Sequence, residues 1–439
     1  MKMKKAASLF LTATIAASAL AGCSTGNGGG KSANGETTIE FWAAPNPTQQ
    51  VYWKEMAKEF EKENPKINVK VSPMKESPTS EASIQSAIAG KSAPTMSENI
   101  NRGFAAQLAE SKALVPLNEI EGWDKLLENR NMTDTIKTWK FSDDNQYVMP
   151  IYSNPMLFGW RIDILKEVGV DKMPATYSEV LDAAKKLKAK YPEKYVWAKP
   201  ALADPTAHHR WFDFFMLYDA ASGGNNFIEG KKFVAEDEAG INALQFMDDL
   251  RKEDGILTKQ STDPFENGLG IFTDLGPWTF SYWEEKFPEM KYNENFGLSL
   301  PPVPDDAKQE NINTFADTKG IVIYASATED ERKAAMEFMN FVYSNPEYDL
   351  KWLETTKLPP ARDDLSTNES FKAFFDKNPE LKPYAEAVPN AIPSIDNAKY
   401  NELQTHIGRY AVNPIVKGEV DPEKGWNEMK KAIKEELKK

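Results

Sequence analysis

The chain has one cysteine, Cys23, and three histidines, His208, His209 and His406, among 439 residues. One cysteine cannot make an intramolecular disulfide. Without soft ligands in metal spacing there is no case for a zinc or copper site, and the adjacent histidine pair cannot reproduce the i, i+4 geometry of His-Glu-x-x-His. Gly-x-Ser-x-Gly is absent, so no nucleophile elbow is encoded. "GNNFIEGKK" has the wrong spacing for a phosphate loop, and "GLG" (268–270) lacks the third glycine of a dinucleotide fingerprint. After residue 22 no stretch is long and apolar enough to span a bilayer core of about 30 Å. Basic residues are also in deficit, with 53 Lys and Arg against 66 Asp and Glu. That balance disfavours nucleic acid and anionic polymers and suits a neutral or small polar ligand.

What is present begins with an address. Lys2, Lys4 and Lys5 precede an uncharged Ala-, Leu- and Ile-rich run over 6–22 that ends in "LAGC". A cationic start, a short apolar run and small residues before a cut predict an export signal over 1–22. Leu-Ala-Gly-Cys matches the bacterial lipobox, so Cys23 is the expected lipidation site. Two acyl chains anchor stably where one is marginal. "STGNGGGKSANGE" then offers nothing to bury, and 23–36 reads as a flexible tether reaching roughly 20 Å. Loss of Lys2, Lys4 and Lys5 with the signal leaves 50 basic against 66 acidic residues, a balance of −16.

About 400 residues exceed one ordinary core, which predicts two domains. "TTIEFW" alternates Ile39 and Phe41 inward as a strand. "NPTQQVYWKEMAKEFEKENP" starts a helix with Asn46 as cap and Pro47 in the first turn, and buries Tyr52, Met56 and Phe60. "INVKVSP" is a second strand. Strand, helix, strand within about 35 residues is a βαβ unit and implies a parallel sheet. Further helices follow at "SEASIQSAIAGKS", "RGFAAQLAESKAL", within 172–192, over the apolar "HRWFDFFMLYDAASGG", over 239–252 and after Thr328. "QYVMPIYSNPMLFGWRIDIL" reads as paired strands leading into a helix, "GIVIYA" as a buried strand, and the tail from 397 as mostly helical. The fold class is α/β, with ligand binding expected in a cleft between two domains.

In this order, the lipobox, "FW...EMAKEFEKENPKINV", "SAPTMSENINRGFAAQLAESKALVPL", "YVMPIYSNPMLFGWRIDIL", "FTDLGPWTFSYW", "FADTKGIVIYA...KAAMEFMNFVYSN" and "LPPAR" resemble the family 1 extracellular solute-binding proteins. These are lipoprotein receptors of ABC importers for sugars of the maltose and multiple-sugar type. The resemblance implies a periplasmic-binding-protein-like fold of two lobes joined by crossing strands. Lobe I would be 37–152 plus 314–345, and lobe II 153–313 plus 346–439. Thr95 stands where the family commonly has Asp.

Eleven Trp make the chain Trp-rich, and an indole is large enough to need a use outside the core. In "LGPWTFSYW" (275–283), Trp278, Ser281 and Tyr282 share one helical face while Phe280 and Trp283 point elsewhere. A pyranose presents an apolar C–H face that an indole matches by dispersion and electrostatics. Trp278 is therefore the expected stacking platform with Tyr282 beside it, and Phe280 and Trp283 are expected core. Trp42 ends the first strand, and Asn46 is a hydroxyl-binding candidate or a plain helix cap. Asn99, Asn101 and Arg102 either offer paired donors and acceptors to vicinal hydroxyls or simply start a helix. Trp211 opens an apolar helix and reads first as core, with a cleft role open to it. The resemblance adds Asn154, Arg362 and Tyr400 as ligand contacts; a surface salt bridge is the other reading of Arg362.

The expected function is capture of a di- or oligosaccharide by lobe closure, then delivery to ABC permease subunits served by a separate ATPase. The protein would be a monomer lipid-anchored at the outer face of the cytoplasmic membrane, or on the periplasmic side where a second membrane exists, without cofactor, metal or catalytic residue. A cell-surface glycosidase, needing two carboxylates about 5–10 Å apart, and a peptide receptor stand as alternatives.

Overall fold

The protein is described by a computed structural model over residues 35–77, 79–205, 210–307 and 312–439. The expected export signal, most of the expected tether and Cys23 lie outside the described residues. So do His208 and His209.

The first sheet grows from the βαβ unit. Strand Thr37–Ala43 pairs in parallel with Ile67–Pro73, from Thr37 opposite Ile67 to Ala43 opposite Pro73. Helix Pro47–Glu63 makes the crossover, with Asn46 at its cap and Pro47 in its first turn. On its other side the first strand takes Met96–Ile100 in parallel. That strand in turn pairs antiparallel with the long strand Thr314–Ile323, which also receives Ala391–Ile392 and Met149–Pro155. Ile39 and Phe41 are fully buried, as the alternation requires, and helix residues Tyr52, Met56 and Phe60 pack on the same core.

The second sheet runs in the order Gly297–Ser299, Leu157–Trp160, Gly270–Leu275, Tyr195–Ala198, Ile256–Leu257. Its pleat sends alternate side chains to different cores. Phe158 and Phe272 stack at 4.0 Å in a cluster with helices Tyr177–Lys190, Asp237–Lys252 and the C-terminal helices. Leu157 and Leu275 face a third cluster that includes Phe280, Trp283, Phe371 and Tyr384.

One expectation is corrected here. "QYVMPIYSNPMLFGWRIDIL" does form two strands, but they do not pair with each other. Met149–Pro155 belongs to the first sheet and Leu157–Trp160 to the second. Residue 156 is where the chain passes between them. The long strand makes the same passage: Phe315 packs in the second core, while Ile321, Val322 and Ile323 pack in the first. These two strands lie antiparallel, Asn154 opposite Asp317 and Ser153 opposite Thr318. Helix Pro346–Thr356 makes a further link, with Trp352 in the first core and Leu353 in the third.

Candidate functional site

The candidate residues of the first sheet sit at the carboxyl ends of its parallel strands, where a backbone leaves the sheet and its polar groups are free for a ligand. Trp42 is half-buried against the first core. Asn46 is exposed, and its Oδ1 accepts the Thr48 N–H at 2.9 Å and the Thr48 hydroxyl at 2.7 Å, so its side chain is occupied as a cap. Between them lies Ala44, whose N–H donates to Glu98 Oε1 at 2.6 Å and whose carbonyl accepts Gln50 Nε2 at 3.2 Å. Thr95 Oγ1 accepts the Glu40 N–H at 3.2 Å, tying the neighbouring strands together below.

Asn99 is half-exposed and adopts φ 66°, a left-handed conformation that Asn tolerates better than most side chains. Asn101 caps helix Arg102–Glu110 by accepting the Phe104 N–H at 2.8 Å. Arg102 turns inward. Its guanidinium donates to the carbonyls of Ser394 and Lys140, lies 5.3 Å from the Phe141 ring centre, and leaves Nε unpartnered. Beside it lies a cavity of about 70 Å³, also lined by Trp211, Phe315 and Asp219. Asp219 Oδ2 is unpartnered too, and burial holds this carboxyl well above the usual range. At Gly103 an added Cβ would lie 2.7 Å from the Tyr400 ring, so only glycine admits that ring against the helix start.

The other candidates form a run of rings. Trp211 stacks on Phe215 at 4.8 Å and on Phe315 at 5.0 Å, with Tyr400 beyond at 6.4 Å. Phe212 meets Phe315 edge-on at 5.9 Å and Trp278 at 6.4 Å. The structure thus brings Trp211, Trp278 and Tyr400 into one series through Phe212 and Phe315. Trp211 is 9% exposed, as its core reading expects. Trp278 and Tyr282, in contrast, are 45% and 46% exposed, two of the few large hydrophobic side chains open to solvent among the described residues. Phe280 and Trp283 are buried. Helix Thr279–Lys286 begins just after Trp278, and the indole lies over Gly276: a Cβ there would stand 2.2 Å from the ring.

That platform is anchored from behind. Lys199 Nζ donates to Asp274 at 2.5 Å and to the Phe212 carbonyl at 2.6 Å, linking the strand that leads to Trp278 with the ring beside it. The Tyr384 hydroxyl donates to the Leu275 carbonyl at 3.0 Å. Asn154 lies at the crossing of the lobes. It is 1% exposed, and its Oδ1 has no partner.

Arg362 is reassigned. It is neither on the surface nor open to a ligand. Nη1 donates to Asp349 at 3.0 Å, Nε and Nη2 donate to Asp364 at 2.8 and 3.0 Å, and the guanidinium lies 5.4 Å from the Phe371 ring centre. Asp349 also accepts from Arg130, which donates to the Pro150 and Ile151 carbonyls. Two arginines therefore share one buried carboxylate beside the crossing strand. Burial alone would depress the Arg362 guanidinium, but its carboxylate partners hold it above its ordinary value. In sequence "LPPAR" gave no sign of this, because Asp349 lies on a separate helix.

Phe212, Phe315, Glu98 and Asp219 were not among the sequence candidates. Phe212 adjoins Trp211 in "RWFDFF", and Glu98 shares the period-2 face of buried Met96 and Ile100, which marks it as inward-facing. Nothing in the sequence distinguishes Phe315 from any other core phenylalanine.

Two α/β lobes joined by crossing strands, with polar strand ends on one lobe and solvent-open rings on the other, define a periplasmic-binding-protein-like receptor without a metal cluster among the described residues. The chain belongs to the bacterial extracellular solute-binding protein family, whose pattern it matches over residues 55–383. It is similar to the uncharacterized protein lmo0859 of Listeria monocytogenes EGD-e, at 60% identity and TM-score 0.90, covering 92% of this chain and 100% of that one. The cyclic alpha-maltosyl-1,6-maltose binding protein of Arthrobacter globiformis shares the fold at 19% identity and TM-score 0.76, over 92% of this chain and 100% of that one. The sn-glycerol-3-phosphate-binding periplasmic protein UgpB of Brucella abortus (strain 2308) is 22% identical over 370 residues, 80% of each chain.

Proposed function

We propose that this chain is the capture protein of an ABC importer for a neutral di- or oligosaccharide. The observation that carries this reading is the open face of Trp278. An indole nearly half exposed, backed by Phe212 and held over Gly276, is a flat apolar surface already fixed in place. Tyr282 exposes a second ring one helical turn on. The half-exposed amide of Asn99 supplies polar partners for hydroxyls, with Asn101 held beside it as a helix cap and the unpartnered Oδ1 of Asn154 buried at the crossing, and Trp42 and Tyr400 add ring edges. Binding closes the lobes by a population shift whose size equals the ligand's preference for the closed form. Membrane permease subunits receive the ligand, and a separate ATPase drives transport. Cys23 carries the lipid that keeps the monomeric receptor at the membrane. The binding of cyclic alpha-maltosyl-1,6-maltose by the Arthrobacter protein favours this ligand class.

Calorimetric titration of the full mature chain with maltotetraose, cyclic tetrasaccharides and sn-glycerol-3-phosphate tests the reading. Micromolar or tighter binding of a neutral oligosaccharide supports it. Preference for the phosphate ester overturns the ligand class. Chromatography of the sugar after incubation separates receptor from hydrolase: the sugar is recovered intact if the chain only binds.

A further inference from the structure

Glu98 is 1% exposed, on strand Met96–Ile100 in the first sheet. Among the described residues it makes no salt bridge. Its Oε1 accepts the N–H of Ala44, a buried residue between Trp42 and Asn46. Ala43 and Ala44 are tied on further sides, by the Met74 N–H to the Ala43 carbonyl at 2.8 Å and by Gln50 to the Ala44 carbonyl. Glu98 is thus the buried side-chain acceptor beneath the 44–46 segment, which joins two candidate ligand residues, Trp42 at the strand end and Asn46 at the helix cap.

The groups around it cannot neutralise a negative charge. Helix Pro47–Glu63 contributes the Tyr52 hydroxyl and the Trp53 indole. Strand Met149–Pro155 contributes Tyr152, and helix Glu329–Tyr343 contributes Tyr343. Each of these three hydroxyls feels Glu98, and burial first of all keeps each protonated far above neutrality. Asp317 on the long strand acts on Tyr152, and the Arg130–Asp349 pair acts on Tyr52 and Tyr343. The Trp53 N–H makes no hydrogen bond of good geometry, yet lies near enough to lower the Glu98 pKa, as the Ala44 N–H does. Burial outweighs both and raises the carboxyl to about 7.

The structure assigns to Glu98 a positioning role: its buried carboxyl holds the 44–46 segment, between Trp42 at the strand end and the helix, through the Ala44 N–H, and the ligand affinity of that strand end follows the proton Glu98 carries. With the proton on, a neutral carboxyl accepts the Ala44 N–H at little desolvation cost. With the proton off, the Ala44 hydrogen bond itself strengthens, but the larger effect is burial: the carboxylate lacks a cation and regains hydration only by moving the backbone that covers it. The 44–46 segment loosens, Asn46 loses its fixed place, and Trp42, still paired in the strand, loses the anchor just beyond it. The choice of sugar as probe rests on the proposed function; the link between Glu98 and the segment does not.

The experiment has two arms, run on the full mature chain as wild type, Glu98→Gln and Glu98→Leu between pH 5.5 and 8.5. The first is ligand-free hydrogen exchange of the Ala44 amide, expressed as protection relative to the intrinsic rate. The second is the Kd for maltotetraose. In the wild type, Ala44 protection is expected to fall about tenfold and Kd to rise several-fold across this range. Glu98→Gln keeps an acceptor without a titration and is expected to hold the low-pH values throughout. Glu98→Leu lacks the acceptor and is expected to be poorly protected at every pH. Equal pH profiles in wild type and Glu98→Gln overturn the proposal, and this comparison stands even if Glu98→Leu does not fold. A flat wild-type Kd with the expected amide response overturns the link to affinity. Absence of maltotetraose binding in all three proteins counts against the oligosaccharide reading, and the amide arm then decides the positioning role alone.

Discussion

Replacement of Trp278 by Ala removes the surface on which the proposed function depends. The indole is 45% exposed, which for a side chain of about 250 Å² leaves roughly 110 Å² open. A sugar ring lying on one face covers about two-thirds of that area. At about 25 cal/mol per Å², some 70 Å² of newly buried surface is worth roughly 2 kcal/mol. Each 1.4 kcal/mol is a factor of ten, so Trp278→Ala is expected to weaken binding about 30-fold. Stability is expected to change by less than about 1 kcal/mol, because the lost contacts are mainly those to Gly276 and the edge of Phe212. Calorimetric titration of wild type, Trp278→Ala and Trp278→Phe with the best-binding oligosaccharide measures the loss, and urea denaturation checks the fold. Partial recovery in Trp278→Phe would confirm a ring-face contact. A Trp278→Ala protein that folds normally and binds within twofold of wild type would refute the stacking argument.

Three further outcomes are expected. Gly276→Ala places a methyl 2.2 Å from the indole and must displace the ring; affinity should fall by at least tenfold with the Trp278 side chain still present, as read by titration and by a change in tryptophan emission. Arg362→Met should lower stability by about 3 kcal/mol, since it strips a buried partner from Asp349, while the Kd of the folded fraction stays within about threefold; a selective loss of affinity would return Arg362 to the ligand site. The third concerns pH. The Glu98 carboxyl is raised in the folded protein from 4.5 to about 7 by burial, so the native state holds a proton that the unfolded chain has released. Its contribution to stability is fully present below about pH 4.5, declines as pH rises to about 7, and is constant above that. The loss is on the order of 3 kcal/mol. Urea midpoints of wild type and Glu98→Gln should converge at low pH and separate above pH 7, with the variant more stable; parallel curves would contradict the shift.

Much of the local structure was legible. The alternation of Ile39 and Phe41, the Asn46-Pro47 start and the Tyr52, Met56, Phe60 stripe fixed a βαβ unit, because those patterns depend only on backbone period and capping. In "LGPWTFSYW" helical spacing put Trp278 and Tyr282 on one face and Phe280 and Trp283 on others, and the match of an indole to a sugar face, with the family resemblance, named the open one. The pairing of Met149–Pro155 was not legible. Period 2 marks a strand but does not name its partner, and here the partner lies more than 150 residues away on Thr314–Ile323. The destination of Arg362 was hidden for the same reason. A charged side chain in "LPPAR" is compatible with solvent, ligand or core until Asp349 and Asp364 are placed around it.

The sequence by itself determined an acidic, cysteine-poor α/β chain with its first βαβ unit, its helix starts and the grouping of rings by helical face. These are matters of composition and of contacts within about one helical turn. Only the tertiary structure decided which rings meet, which carboxyls are buried and where the lobes cross. Ring stacking, desolvation and strand pairing join residues hundreds of positions apart, and no local pattern carries that information.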